Sequence, residues 1–258
     1  MRRWISRLGL PVTVLAAMSV TAGVTLAVLS ATTPNSSATI TSGDVSFGST
    51  ANTTCVVRAG AGASGPALLP GSASTGWATP GSEPPCTLKV TYSGTNAAYL
   101  GLDVLIASRA GSVAPGAPAG TNATPLFDDS SNGLQLRISD ASGATFVNGT
   151  DFTTQGTAGA PTPLPSASCP APYDISTYTC YQVNDLLVST SPFTGGANDT
   201  FTLNYELPLS SPSSYENAAA TVVLTAHAVQ SVNNPLPASP SAGACAAGAQ
   251  CQVGLPWD

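Results

Sequence analysis

The sequence predicts an all-β chain, a two-sheet antiparallel sandwich of jelly-roll type with long Gly/Pro/Ala/Ser-rich loops, preceded by an N-terminal signal peptide or signal-anchor helix. Three observations carry this expectation. Apolar and polar residues alternate with a period of two along several stretches, the spacing that sends successive side chains to opposite faces of a strand. Glycine (25) and proline (22) together reach about 18% of 258 residues, against roughly 12% in average proteins, so turns are frequent and long helices few. Finally, all six cysteines follow the leader, and an even count in an exported chain favours disulfides over thiols.

The strands follow in order. Leu88, Val90 and Tyr92 alternate with Thr87, Lys89 and Thr91, and Leu100, Leu102, Val104 and Ile106 repeat the pattern. Leu134, Leu136 and Ile138 alternate with Gln135, Arg137 and Ser139, and Phe201, Leu203, Tyr205 and Leu207 with Thr202, Asn204 and Glu206. Each reads as a half-buried strand with one wet face. Val222, Leu224, Ala226 and Ala228 share a face of the last strand, where β-branched content argues against a helix. Ile40–Phe47, Thr54–Arg58, Ala144–Asn148 and Gln182–Ser189 bring the set to about nine. Between them, residues 59–85, 110–125, 153–172 and 233–258 read as surface loops and a tail. The chain divides into a leader (1–31), a sandwich with loop insertions (32–232) and a Cys-containing tail (233–258).

Arg2, Arg3 and Arg7 precede a charge-free run from Leu8 to Ala31, a positive n-region and an apolar h-region that mark export. Cleavage is placed near Ala31; the run is also long enough to stay as an uncleaved anchor. Losing the leader removes three of seven basic residues and none of thirteen acids, which leaves four against thirteen, a net charge of −9. Such a chain is repelled by nucleic acid and by anionic membranes, so membrane contact is expected only through an uncleaved leader. Sequence-neighbour cysteines are paired, Cys55 with Cys86, Cys169 with Cys180 and Cys245 with Cys251, because each pair brackets a stretch without strand character. No C-x-x-C spacing offers a structural zinc site.

Chemistry is sparse. His227 is the single histidine; the alternation puts it opposite Leu224 and Ala226, at a solvent-facing or partly covered position. No H-E-x-x-H, G-x-S-x-G or strand-to-helix G-x-G-x-x-G occurs, so protease, hydrolase and dinucleotide readings lack their minimal parts and no catalytic residue is assigned. The run from Asp128 to Gly133 places Asp128, Ser130 and Asn132 where a calcium loop begins, but its twelfth position is Ser139 rather than a bidentate Glu. It reads as an Asx-rich turn, with a weak calcium site as the alternative and no other cofactor expected. Tyr173, Tyr178 and Tyr181 gather around Cys169 and Cys180, either as a glycan- or protein-binding patch or as rings covering a sandwich edge. Lys89, the only lysine, lies on the polar face of its strand, which argues against a buried Lys–Asn cross-link.

Four segments carry a resemblance: Ile40-Thr41-Ser42-Gly43-Asp44-Val45-Ser46-Phe47 after the leader, Pro125-Leu126-Phe127-Asp128-Asp129 before an alternating strand, Tyr205-Glu206-Leu207-Pro208, and Ala228-Val229-Gln230. Together they resemble the TasA/camelysin family of exported Gram-positive bacterial proteins, over about half the chain. The resemblance implies a jelly-roll sandwich, and the family includes fibre-forming biofilm-matrix subunits and surface proteins described as metalloproteases. The chain departs from it at Ala31-Thr32-Thr33-Pro34-Asn35, where the family carries an aromatic-Ser/Thr-Asp-Thr-Glu segment, and in the three cysteine-bracketed insertions. With one histidine and no zincin motif, the metallopeptidase activity transfers poorly. The expectation is therefore a non-enzymatic structural protein of the cell surface or extracellular matrix, self-assembling by donation of a strand containing Ile40, Val45 and Phe47. A glycan- or protein-binding surface module is the alternative, and a camelysin-type metallopeptidase the third reading.

Overall fold

The computed structural model describes residues 30–31, 45–48, 52–59, 67–77, 83–112, 122–128, 130–142, 145–148 and 164–236. Within them the chain forms β1 (Ser30–Ala31), β2 (Asn52–Ala59), β3 (Ala67–Leu68), β4 (Cys86–Thr91), β5 (Ala98–Arg109), β6 (Gln135–Ser139), β7 (Thr145–Asn148), β8 (Leu164–Pro165), β9 (Thr179–Leu187), β10 (Asn198–Glu206) and β11 (Ala219–Gln230). One 3-10 turn, Ser213–Tyr215, precedes β11. The leader before Ser30, Ile40, Cys245 and Cys251 lie outside the described residues, among which no helix is long and apolar enough to cross a membrane.

The strands make two sheets. The larger runs β3-β2-β11-β5-β9-β8, with β1 added to β11, and the smaller runs β4-β10-β6-β7. Pairing is antiparallel except between β2 and the two-residue β3. Alternation decides which faces meet: Leu100, Leu102, Val104 and Ile106 of β5 and Val222, Leu224 and Ala226 of β11 share one buried cluster with Leu88, Val90, Leu136, Ile138, Phe201 and Leu203 of the small sheet. That shared cluster makes the two sheets a sandwich-like pair. The buried Ser108 hydroxyl accepts the Phe127 N–H at 2.7 Å.

The first long loop corrects the sequence reading. Its residues 72–74 continue the edge of β10 where β4 stops, with Ala73 opposite Glu206 and hydrogen bonds from Ser74 N to Tyr205 O (2.8 Å) and Leu207 N to Ser72 O (2.9 Å). Leu68 is fully buried as part of β3. Small residues suffice here because main-chain pairing, rather than side-chain volume, holds the segment. Gly76, with φ of +97°, comes so close to Asn204 that a Cβ would sit 3.0 Å from its Oδ1, and Trp77 lies beside it with the Arg137 guanidinium 5.1 Å from the ring centroid.

Two of the expected disulfides form, Cys55–Cys86 and Cys169–Cys180. The first joins β2 to β4 and therefore ties one sheet to the other; the second closes a loop onto β9. Such bonds fit an oxidising compartment. From separations of 31 and 11 residues, chain-entropy arithmetic gives about 4 and about 3 kcal/mol respectively. Urea denaturation of a Cys55→Ala/Cys86→Ala variant is expected to show the larger loss, and a Cys169→Ala/Cys180→Ala variant the smaller.

Asp199, on β10 opposite Val90 of β4, has its carboxyl pushed up by burial, with the nearby Asp140 adding to the shift and main-chain N–H groups of Thr200 and Ala141 opposing it. An acid whose pKa is higher folded than unfolded opposes folding; the cost is absent at low pH, grows as pH rises above the unfolded value and is complete above the raised one. Asp199→Asn is therefore expected to raise the thermal midpoint at about pH 7, with the difference from wild type vanishing near about pH 3, below the ordinary carboxylate range.

Candidate functional site

β5 and β11 pair without interruption from Ala98↔Gln230 to Arg109↔Ala219. Thr221, Val223, Thr225, His227 and Val229 consequently lie on the outer face of the large sheet, beside Tyr99, Gly101, Asp103 and Leu105 of β5. This face does not stay wet along its length. Thr221, Val223 and Thr225 are half-buried, whereas His227 and Val229 are buried, because Tyr99, Leu187 and Val229 form a small second core against which Leu236 packs. His227 is thus only 4% exposed, more deeply covered than the solvent-facing or partly covered position read from its alternation.

A bulge brings two acids to this histidine. Leu102 pairs with Leu186 and Val104 with Val183, so the single residue Asp103 faces both Asn184 and Asp185. Asp185 takes a left-handed conformation (φ 58°), a region that Asp tolerates better than most residues. Its N–H donates to Asp103 Oδ1 at 2.7 Å, and the same oxygen lies 2.9 Å from His227 Nε2. Asp103, Asp185 and His227 each bring one ligand atom within 4.8 Å of the others. His227 faces Gly101 across the ladder, a residue with no side chain to stand between the imidazole and β9. The sequence reading missed this trio: Asp103 sits on the polar face of its alternation, but its company depends on register and on the extra residue in β9.

The side chains of the calcium candidate are hydrogen-bonded within a turn and to the segment before β11. The Ser130 hydroxyl donates to Asp128 Oδ1 (2.7 Å), Gly133 N–H donates to Ser130 Oγ (3.2 Å), and the Tyr215 hydroxyl donates to Asp128 Oδ2 (2.5 Å). Asn132 is engaged elsewhere, its Oδ1 accepting from the Ser210 hydroxyl at 3.0 Å and its carbonyl from Ser211. Together these bonds join the entry to β6 to residues 210–215.

Of the tyrosines, Tyr181 is in the core, ring edge to face with Phe127 at 4.7 Å. Its place on β9 opposite Ile106 turns it inward, which removes it from any surface patch. Tyr173 and Tyr178 remain together on the disulfide loop, edge-packed at 5.2 Å. Both are half-buried, and burial raises the Tyr173 hydroxyl pKa while a hydrogen bond to Thr221 lowers it. The loop therefore lies over the outer face of β11. Val45 is buried in the main core and Phe47 meets Tyr92 edge-on at 6.4 Å; Lys89 is exposed on β4. A cleft of about 410 Å3, lined by Leu68, Leu69, Pro70, Leu207 and Tyr215, is mostly apolar and does not include His227.

No family model, curated protein or solved structure matches this chain.

Burial and the Asp128 carboxylate both push the Tyr215 hydroxyl far above its ordinary pKa, so it remains a protonated donor. Tyr215→Phe leaves Asp128 without that bond, and the expected cost, from the loss of a hydrogen bond to a charged group, is about 1–3 kcal/mol by urea denaturation.

Proposed function

We propose that this chain is an exported, non-enzymatic structural protein of the cell surface or extracellular biofilm matrix, closed as a jelly-roll sandwich and assembling by exchange of an N-terminal strand. The observation that carries the reading is the seat of residues 45–48. β4 is the outermost strand of the small sheet, and this segment lies along its free edge: Gly48 N donates to Thr91 O at 2.8 Å, Ser93 N donates to Ser46 O at 2.9 Å, and Phe47 bridges to Tyr92. Val45 completes the core from there. An added edge strand is held by main-chain bonds and a few pockets, and an identical strand from another copy supplies the same contacts. Exchange therefore conserves every hydrogen bond while converting an intramolecular contact into an intermolecular one. Gly48 and Asn52 are four residues apart, a span of at most about 14 Å, so donor and acceptor sandwiches must abut. The leader, three arginines before a charge-free apolar run, and the two disulfides support export.

The edge-packed Tyr173 and Tyr178 beside exposed Ile175 favour a second reading, a module that binds a surface glycan or protein.

Electron microscopy of the chain beginning at residue 32 is expected to show filaments, and a molar excess of a peptide covering residues 38–48 is expected to stop their growth by occupying the β4 edge. A chain that stays monomeric, or filaments that grow unaffected by the peptide, overturns strand exchange. Chelator-sensitive cleavage of casein by the purified protein overturns the non-enzymatic assignment.

A further inference from the structure

We propose that Asp103, Asp185 and His227 form a binding site for a divalent transition-metal ion of the zinc class, which fastens β11, β5 and β9 together on the outer face of the large sheet. The argument starts from charge. His227 is 4% exposed and Asp185 7% exposed, and carboxylates drawn out of water need a compensating cation close by. The chain has seven basic residues, of which four are described. Lys89 and Arg137 belong to the small sheet; Arg58 and Arg109 both stand opposite Ala219, at the far end of β11 from His227. Eight residues of strand separate Ala219 from His227, roughly 27 Å at about 3.4 Å per residue, well beyond a Debye length of about 8–10 Å. Among the described residues, the group beside these carboxylates that can carry positive charge is the imidazole, and a bound divalent ion would supply the rest. A divalent ion on two carboxylates and a neutral imidazole brings the group to zero net charge.

The donor set selects the ion. One imidazole nitrogen with two carboxylate oxygens suits zinc and its neighbours, whereas calcium and magnesium prefer oxygen alone. Bonds of about 2.0–2.2 Å to a tetrahedral ion place donors about 3.3–3.6 Å apart. The 2.9 Å contact between His227 and Asp103 must open by a few tenths of an ångström, and a separation of up to 4.8 Å within the trio must close by about 1.5 Å at most, within the reach of small side-chain rotations. Asp103 already accepts the Asp185 N–H, the kind of bond that orients a ligating carboxylate. Its side chain is 31% exposed, so an ion can enter, and a water complete its coordination, from that side.

The test uses the full chain, freed of metal by chelator and titrated with zinc chloride. The expected result is one Zn2+ per chain, an unfolding midpoint that rises with zinc and not with equal calcium, and affinity about 100-fold weaker in His227→Gln. Absence of zinc binding, or unchanged affinity in a folded His227→Gln protein, overturns the site and leaves a histidine–carboxylate ion pair only. Should that variant not fold, wild type decides alone. The chain has one histidine, so its imidazole ring signals are unambiguous by proton NMR. Stoichiometric Co2+ is expected to move them out of the diamagnetic range, and signals left in place by bound Co2+ overturn the proposal.

Discussion

The structure depends on the register between β5 and β11. Twelve residues of each pair in an unbroken antiparallel ladder at the middle of the large sheet, and every other placement is relative to it. Because strand side chains alternate with a period of two, a slip of one residue on β11 would carry Val222, Leu224 and Ala226 outward and Thr225 and His227 into the core. The first change forfeits apolar burial and the second leaves polar groups without partners, so both faces of the ladder enforce the same register. Each neighbouring strand adds to this: β2 takes up the other edge of β11 from Ala219 to Thr225, and β1 the remainder at Ala228 and Val229.

A sandwich needs its two sheets held in one relation, and apolar packing is non-directional. Two devices supply direction here. The Cys55–Cys86 bond crosses from β2 to β4, and the Asp128 turn ties the start of β6 to the 3-10 turn before β11 through the Tyr215 hydroxyl. Outer faces are treated differently from the core and from each other. Gly76 and Trp77, following the edge pairing of residues 72–74, lie against Asn204 and Arg137 of the small sheet, while the disulfide loop and Leu236 cover parts of the large one. What the sequence offers as low-complexity insertion is thus, in part, a second layer.

Much of this was legible and some was not, for physical reasons. Period-two runs located β4, β5, β6, β10 and β11, because a half-buried strand cannot avoid the pattern. Bracketing of turn-rich stretches found both described disulfides. Tyr181 was misplaced because a tyrosine near a cysteine reads the same whether its ring points in or out; pairing with Ile106 decides it. Leu68 and residues 72–74 were hidden because edge pairing through the main chain leaves no side-chain signature. The Asp103–Asp185–His227 trio was invisible for a stronger reason. Its members are separated by 82 and 42 residues, and they meet only because β9 carries one more residue than β5 at the bulge.

The bulge is the least regular point of a very regular ladder, and its position follows from that of the acid. A carboxylate at Asp103 on a flat sheet would face a side chain at the same level of β9. With two residues opposite it, the strand bends and presents the Asp185 N–H to the Asp103 oxygen, which satisfies one acceptor of a partly buried charge with a main-chain donor. The inserted residue adds a second acid while satisfying the first, and the imidazole lies 2.9 Å from the shared Asp103 oxygen. In a chain with only 8% charged residues, an ordinary strand surface has ample neutral alternatives such as the threonines at 221 and 225. Placing two acids beside the single histidine, on the more buried half of the outer face, is a demanding arrangement for packing alone.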